Sequence, residues 1–121
     1  MTDSPVTPPP APPYHVAGDL VLLSGQVGVD EDWQPVAGTF QDEVRAMFRN
    51  VRLHLAAAGG RPEHIVKVTA YLSDLADFDA YNEVWVEEFP RDRPARTTIG
   101  AALHPPFRVE VDVVAWLGPA R

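Results

Sequence analysis

The feature that most constrains the fold is a strict alternation of residue types close to the C-terminus. Between Phe107 and Trp116, one set of positions is apolar and the other is mostly polar: Val109, Val111, Val113 and Ala115 alternate with Arg108, Glu110, Asp112 and Val114. A period of two residues places each set on its own face of a β-strand. We therefore predict a strand over these residues, with one face against a core and the other face left polar.

A helix is predicted from Thr39 to Ala58. Its apolar residues share one face at helical spacing: Phe40, Val44, Met47, Phe48, Val51 and Leu55. Thr39 is a good N-cap, and Asp42 stands three residues later, as in a capping box. The pair Gly59-Gly60 supplies the left-handed backbone that ends a helix.

A second helix is predicted from Asp74 to Phe89, capped by Asp74 or Asp77 and stopped by Pro90. Its expected buried stripe consists of Phe78, Tyr81, Trp85 and Phe89. This helix gives the chain a second amphipathic surface that must pack against a sheet.

Shorter strands fill the rest of the chain. Leu20 to Leu23 is continuously apolar, which favours a strand covered on both faces. His64 to Leu72 alternates, with Val66, Val68, Ala70 and Leu72 expected on one side, and Arg96 to Gly100 is a further strand. About six strands and two helices predict an α+β fold, with both helices on one face of a mixed sheet. The other sheet face then lacks a cover, which is a physical indication of an oligomer.

Composition excludes several classes of function. The 121 residues make one domain with a net charge of −7, and Lys67 is the only lysine. An acidic chain without a basic cluster repels phosphate backbones, so we expect no nucleic-acid partner. The absence of cysteine removes disulfides and thiolate chemistry, and the four histidines lack metal-ligand spacing. No apolar run reaches the ~20 residues of a membrane span, and no signal peptide is evident, so a cytoplasmic protein is expected.

Residues 1–13 contain six of the thirteen prolines. Proline lacks an N–H and has a fixed φ, so this segment is predicted to be an extended, disordered tail outside the folded domain of residues 14–121. A docking arm for a proline-recognising partner is the alternative.

Two residues carry candidate chemistry. Arg96 lies in a short run of β-branched residues, and Glu110 lies inside the alternating strand. A fixed guanidinium beside a fixed carboxylate can hold an anionic substrate and handle a proton or a water at its reacting carbon. Each residue taken alone is more typical of a surface ion pair or a solvated strand position.

Several sequence blocks resemble a known family. LVLLSGQVGVD, the segment from VRLHLAAAGG to VEEF, PARTTIGAAL and RVEVDVVA occur in an order and spacing that resemble the Rid (YjgF-like) reactive intermediate deaminases. The resemblance implies a chorismate-mutase-like (Bacillus-type) α+β fold and a homotrimer with active sites between subunits. It also implies hydrolysis of reactive 2-enamines and 2-imines, such as 2-aminoacrylate, to 2-keto acids and ammonia without a cofactor.

The resemblance also implies roles for single residues. Arg96 matches the arginine that holds the substrate carboxylate, and Glu110 matches the glutamate that orients or deprotonates water. Thr98 stands where many relatives have cysteine or serine, and its backbone carbonyl is expected to position the water. The remaining candidates are Ser24 and Gly25 at the cleft wall, and Asn82 on the second helix.

One substrate-contacting position is open. Tyr14 is the candidate tyrosine, but it stands about three residues closer to Ser24 than the family pattern requires. Either the first strand is shortened, or Ala11 takes the aligned position.

Two other functions remain. The first is a trimer that binds small 2-keto or amino acids without turnover. The second and weaker one is a ribonuclease or translation inhibitor, which the net charge of −7 opposes.

Overall fold

The computed structural model describes residues 7–119, and within that range the chain forms five strands and two α-helices. In chain order they are β1 (Tyr14–Ala17), β2 (Leu20–Gln26), α1 (Phe40–Ala57), β3 (Ile65–Leu72), α2 (Phe78–Glu88), β4 (Ala95–Gly100) and β5 (Val109–Trp116). Short 3₁₀ turns cover Pro62–His64 and Leu75–Asp77. The described residues thus contain one strand fewer than the roughly six that were predicted.

The five strands form a single sheet in the order β1-β2-β5-β3-β4. β3 and β4 run parallel, whereas the other neighbouring pairs are antiparallel. Both helices contribute to one core with β2, β3 and β5. The predicted α+β fold with a mixed sheet and two helices is therefore confirmed.

The alternation of β5 sets the two faces of this sheet. Val109, Val111, Val113 and Ala115 are buried, and the residues between them are half-buried. Because β5 lies in the centre of the sheet, its apolar side forms the floor on which both helices pack. Glu110 and Asp112 consequently project from the face that has no helix.

α1 begins and ends as its sequence predicts. Thr39 Oγ1 accepts from the Asp42 N–H at 3.1 Å, and Asp42 Oδ2 accepts from the Thr39 N–H at 3.0 Å. At the other end, the Gly59 and Gly60 N–H groups donate to Ala56 O and Leu55 O at 3.0 and 2.8 Å. Gly59 has a φ of +90°, which a residue with a Cβ adopts only with strain.

Three predicted details of burial are wrong. The register shifts between Ile65 and Lys67, so Ile65 rather than Val66 faces the core. Leu20 and Leu22 are 40 and 41% exposed, because neither helix of the described residues covers their side of β2. Phe78 is 38% exposed, because it opens α2 at the rim of the core and not inside it.

The proline-rich segment contacts the body of the protein within the described range. Residues 7–13 contain no helix or strand, and residues 1–6 of the predicted tail lie outside the described residues. Ser24 Oγ donates to Pro12 O at 2.6 Å, and the Ser24 N–H donates to Pro13 O at 3.0 Å. The last prolines are thereby fixed beside β2.

Among residues 7–119, neither helix has the length and apolar character needed to cross a bilayer.

Gly59→Ala tests the helix stop. The added Cβ meets no heavy atom, so the cost comes from the left-handed backbone alone and should lower the free energy of unfolding by about 1 kcal/mol. Gly59→Asn is the matched control, since asparagine tolerates this backbone better, and it should lose less. Urea denaturation measures both, and equal losses for the two variants would contradict this account.

Candidate functional site

Arg96 is held by α2 on the helix-covered face of the sheet. Its register partner on β3 is Val68, which is fully buried under the helices. The Arg96 Nη2 donates to Asn82 Oδ1 at 2.5 Å. Its Cζ lies 5.6, 5.5 and 5.1 Å from the ring centroids of Phe78, Tyr81 and Trp85. Three rings and one amide oxygen therefore fix the direction of the guanidinium.

This arrangement leaves the guanidinium able to bind an anion. A guanidinium has five N–H donors, and among the described residues Asn82 is its hydrogen-bond partner. The ring faces attract the cation without using up its donors. A planar donor pair that is already oriented suits a carboxylate, which accepts two parallel hydrogen bonds.

Thr98 lies two residues further along β4, on the same side of the sheet as Arg96. Its register partner Ala70 is fully buried. Within residues 7–119, the buried Thr98 Oγ1 and the buried Tyr81 hydroxyl have no hydrogen-bond partner. Burial raises the pKa of Tyr81, so its hydroxyl stays protonated and can donate.

Glu110 lies on the opposite, open face. Gly25 of β2 packs directly against it, and a Cβ added at Gly25 would overlap the Glu110 carboxylate. Burial raises the pKa of Glu110, and the neighbouring Asp112 charge raises it further. A carboxylate with a raised pKa is a better proton acceptor and donor near neutral pH.

Tyr71 of β3 holds the neighbouring carboxylate. Its hydroxyl donates to Asp112 Oδ2 at 2.7 Å, and this hydrogen bond is the main reason why the pKa of Tyr71 is raised. Asp112 therefore has a partner of its own, whereas no side chain of the described residues donates to Glu110. Of the two carboxylates, Glu110 is the one available for chemistry.

Ser24 and Gly25 border a groove of about 580 Å³ between the proline-rich segment, the loop after β2 and the outer side of α1. Ala11 lines this groove, and Tyr14 does not. Tyr14 instead lies on the helix side of β1, where its hydroxyl donates to Ala57 O at 3.4 Å. Tyr14 is thus directed away from this groove, whereas Ala11 lines it together with Ser24 and Gly25.

The predicted neighbours Arg96 and Glu110 are not neighbours within one chain. Arg96 points into the helix layer from the edge strand β4, and Glu110 points away from the helices on β5. Within a single chain the sheet itself separates the two residues, so the expected placement of a guanidinium beside a carboxylate requires two copies of the chain. One chain brings together Arg96, Asn82 and Thr98 on one face, and Glu110 and Gly25 on the other.

Sequence reasoning missed an ion pair near this site, between a buried carboxylate and a half-exposed arginine. Glu43 of α1 is 5% exposed, and its carboxylate accepts from the backbone N–H and the Nε of Arg108. The signal was present, because Glu43 stands three residues after Phe40 and four before Met47, inside the apolar stripe of α1. A charged residue at such a position predicts a buried partner.

No group of three or more histidine or acidic side chains within residues 7–119 has a geometry that fits a metal ion.

Comparison with known proteins identifies the family. The family model described as endoribonuclease L-PSP matches residues 7–117, beginning seven residues before the domain boundary predicted from sequence. The chain belongs to this family, the Rid (YjgF-like) proteins.

Curated relatives with an enzyme name are deaminases. The chain is 35% identical over 119 residues to a 2-iminobutanoate/2-iminopropanoate deaminase of Dermatophagoides farinae, covering 94% of this chain and 93% of the relative. It is 36% identical over 101 residues to the Homo sapiens protein of the same name, covering 82 and 74%. The crystal structure of yeast Mmf1 superposes with a TM-score of 0.87 at 29% identity, over 95% of this chain and 93% of that one.

The raised pKa of Glu110 predicts a pH-dependent stability. The folded Rid chain binds this proton more tightly than the unfolded chain, so Glu110 costs stability as the pH rises through the window above its ordinary value of 4.5. Glu110→Gln should therefore gain stability relative to wild type across that window. Urea denaturation between about pH 4 and pH 8 measures the difference.

Glu87→Gln is the control of opposite sign. Hydrogen bonding to Arg45 lowers the pKa of Glu87, so its ionised form stabilises the fold. This variant should lose stability relative to wild type as the pH rises toward the ordinary value of 4.5, so its urea denaturation series starts at about pH 3. A pH-independent difference for Glu110→Gln would contradict the placement of its carboxylate.

Proposed function

We propose that the protein hydrolyses reactive 2-imino acids, and the enamines in equilibrium with them, to 2-keto acids and ammonia. The observation that carries the proposal is the Arg96 guanidinium, fixed by three aromatic rings and Asn82 with donors to spare. The names of its Rid relatives supply the reaction class.

The proposed chemistry divides between the two residues. Arg96 binds both oxygens of the substrate carboxylate and thereby fixes C2 of the imine. Glu110 accepts a proton from the attacking water while the water oxygen bonds to C2 and the C=N π electrons move to nitrogen, and it passes this proton to the nitrogen. The new hydroxyl group then gives its proton to the nitrogen through Glu110, and the C2–N bond breaks as the C2=O bond forms and ammonia leaves. The backbone carbonyl of Thr98 is proposed to orient that water, with Ser24 and Gly25 as the wall of the cleft. These steps require no cofactor.

The active site is proposed to form between copies of the chain. Arg96 and Glu110 lie on opposite faces of one sheet, so a site with both residues needs Glu110 from a second copy. The open face also carries apolar residues that a partner would bury: Leu20, Leu22, Ile99 and Val114. We propose a homotrimer of the chorismate-mutase-like type, joined through these sheet faces.

A cytoplasmic location is likewise proposed, although the Saccharomyces cerevisiae relative is named a mitochondrial protein.

A coupled assay tests the reaction. An amino acid oxidase generates imino acids in place, and semicarbazide traps the imino acid that remains. We expect wild type to reduce the trapped product, and Arg96→Ala to lower kcat/KM about 10²-fold, since it removes a charge-assisted bidentate contact. Arg45→Ala, which removes another paired arginine, is the matched control and should retain activity. Wild type that is no faster than buffer would defeat the proposal.

Subunit complementation tests the shared site. Arg96→Ala and Glu110→Gln should each be inactive alone. When they are refolded together in equal amounts, a site receives an intact Arg96 and an intact Glu110 in about one case of four, so about a quarter of wild-type activity should return. A mixture that stays inactive would show that both residues must come from one chain.

The oligomer itself is tested by sedimentation. Leu22→Asp places a charge in the proposed interface and should shift the species from three times 13.3 kDa to one. Leu53→Asp alters an equally apolar side chain that is 60% exposed on α1, and it should leave the trimer intact. Dissociation by both variants, or by neither, would contradict the interface.

Binding without turnover is the second candidate, because Tyr14 lies on the helix side of β1 and does not line the groove that Ser24 and Ala11 border. A 2-keto acid that raises the melting temperature without any imine hydrolysis would favour this function. Ribonuclease activity, which the family description mentions, is opposed by the net charge of −7.

A further inference from the structure

The buried carboxylate of Glu43 joins three parts of the chain. Its Oε2 accepts from the Arg108 N–H at 2.8 Å, and its Oε1 accepts from the Arg108 Nε at 2.7 Å. The loop after β2 closes over the same residue, since a Cβ added at Gly28 would lie 2.7 Å from Glu43 O and 2.9 Å from Glu43 Cγ. α1, the β2 loop and the start of β5 therefore meet at this one side chain.

These contacts lie on both sides of Glu110. Arg108 precedes Glu110 by two residues, and its backbone is fixed twice, because its carbonyl also accepts from the Ser73 N–H at 3.0 Å. Gly28 follows Gly25 by three residues, and Gly25 is the wall against which the Glu110 carboxylate packs. Glu43 thus fixes the strand that carries Glu110. It also fixes the loop that follows Gly25, the residue against which the Glu110 carboxylate packs.

We infer that Glu43 is a positioning residue for Glu110. The inference rests on the proposed function, in which Glu110 handles the proton and water. Glu43 touches neither substrate nor water. It acts by holding residue 108 in register, so that the Glu110 carboxylate stays against Gly25 and partly withdrawn from solvent.

The carboxylate of Glu43 matters because, among the described residues, no other side chain accepts a hydrogen bond from Arg108. Without the carboxylate, the Arg108 N–H and Nε lose their acceptor. The Arg108 side chain is 42% exposed, so water can take over at Nε, but the backbone N–H faces the buried position of Glu43. A partly buried donor without an acceptor is costly, so the chain would relax until water reaches this N–H. The relaxation would start two residues from Glu110 and increase the solvation of its carboxylate.

Glu43→Ala tests the inference through kinetics. We expect kcat to fall by about 10-fold or more, since small displacements of a catalytic group have large effects on rate. KM should stay within about twofold, because the substrate carboxylate is bound by Arg96 of another copy of the chain, which Glu43 does not contact. The acid limb of the kcat profile should also move to lower pH as Glu110 becomes better solvated. The titratable groups facing Glu110 are Asp112 on β5 and Tyr71 on β3, and both are unchanged in this variant.

Two further variants separate positioning from stability. Glu43→Gln keeps one acceptor for the Arg108 N–H and should recover part of kcat. Glu87 of α2 also binds an arginine through both carboxylate oxygens, in this case Arg45 of α1. Glu87→Ala removes this carboxylate and should leave kcat and the pH profile unchanged. All rates are taken per folded protein, well below the melting temperature. If Glu43→Ala does not fold, Glu43→Gln takes its place in the test. A Glu43→Gln variant with the kcat and the pH profile of wild type would then overturn the inference.

A titration of the Glu110 carboxyl by ¹³C NMR gives a readout besides activity. A lower Glu110 pKa in Glu43→Ala than in wild type and Glu87→Ala supports the inference. An unchanged Glu110 pKa, or an equal change in Glu87→Ala, overturns it. Failure of the proposed function is distinguishable, because in that case wild type itself shows no hydrolysis.

Discussion

The two-residue period of β5 is the constraint on which the rest of the structure depends. It places Val109, Val111, Val113 and Ala115 under the helices, and their burial forms the floor of the main core. The same period sends Glu110 and Asp112 to the other side of the sheet. Because β5 is the central strand, the position of its buried residues also determines the position of Glu110 on the opposite face. A shift of one residue in its register would exchange the two faces completely.

Much of the fold could be predicted because local signals agreed with the global packing. Thr39, Asp42 and Gly59-Gly60 mark the ends of α1, and every apolar residue of its stripe is buried. Predictions failed where the pattern was interrupted. The register shift at Ile65 and Lys67 has no signature in a run of alternating residues, and so Val66 was assigned to the wrong face. The exposure of Leu22 depends on what covers the sheet, which a single chain does not specify.

The candidate site could be predicted less completely, for a reason of geometry. Sequence patterns show which residue types occur and on which face of an element they lie. They do not show that β4 sends Arg96 toward α2 while β5 sends Glu110 away from it. The ring contacts of Arg96 and the hydrogen bond from Tyr71 to Asp112 join elements distant in sequence, so neither had a local signal. Glu43 was detectable from its place in the stripe of α1, although its partner Arg108, 65 positions away, was not.

The separation of Arg96 from Glu110 by the thickness of the sheet has a consequence for the proposed assembly. In the proposed trimer, each chain would hold half of one site and half of another, so a free chain would be inactive however well it folds. Specific activity then follows the law of mass action and declines on dilution, when subunits come apart. On that account, the amount of protein present sets the number of working sites and also the fraction of chains that work at all. A low protein concentration would by itself keep the enzyme dissociated and inactive.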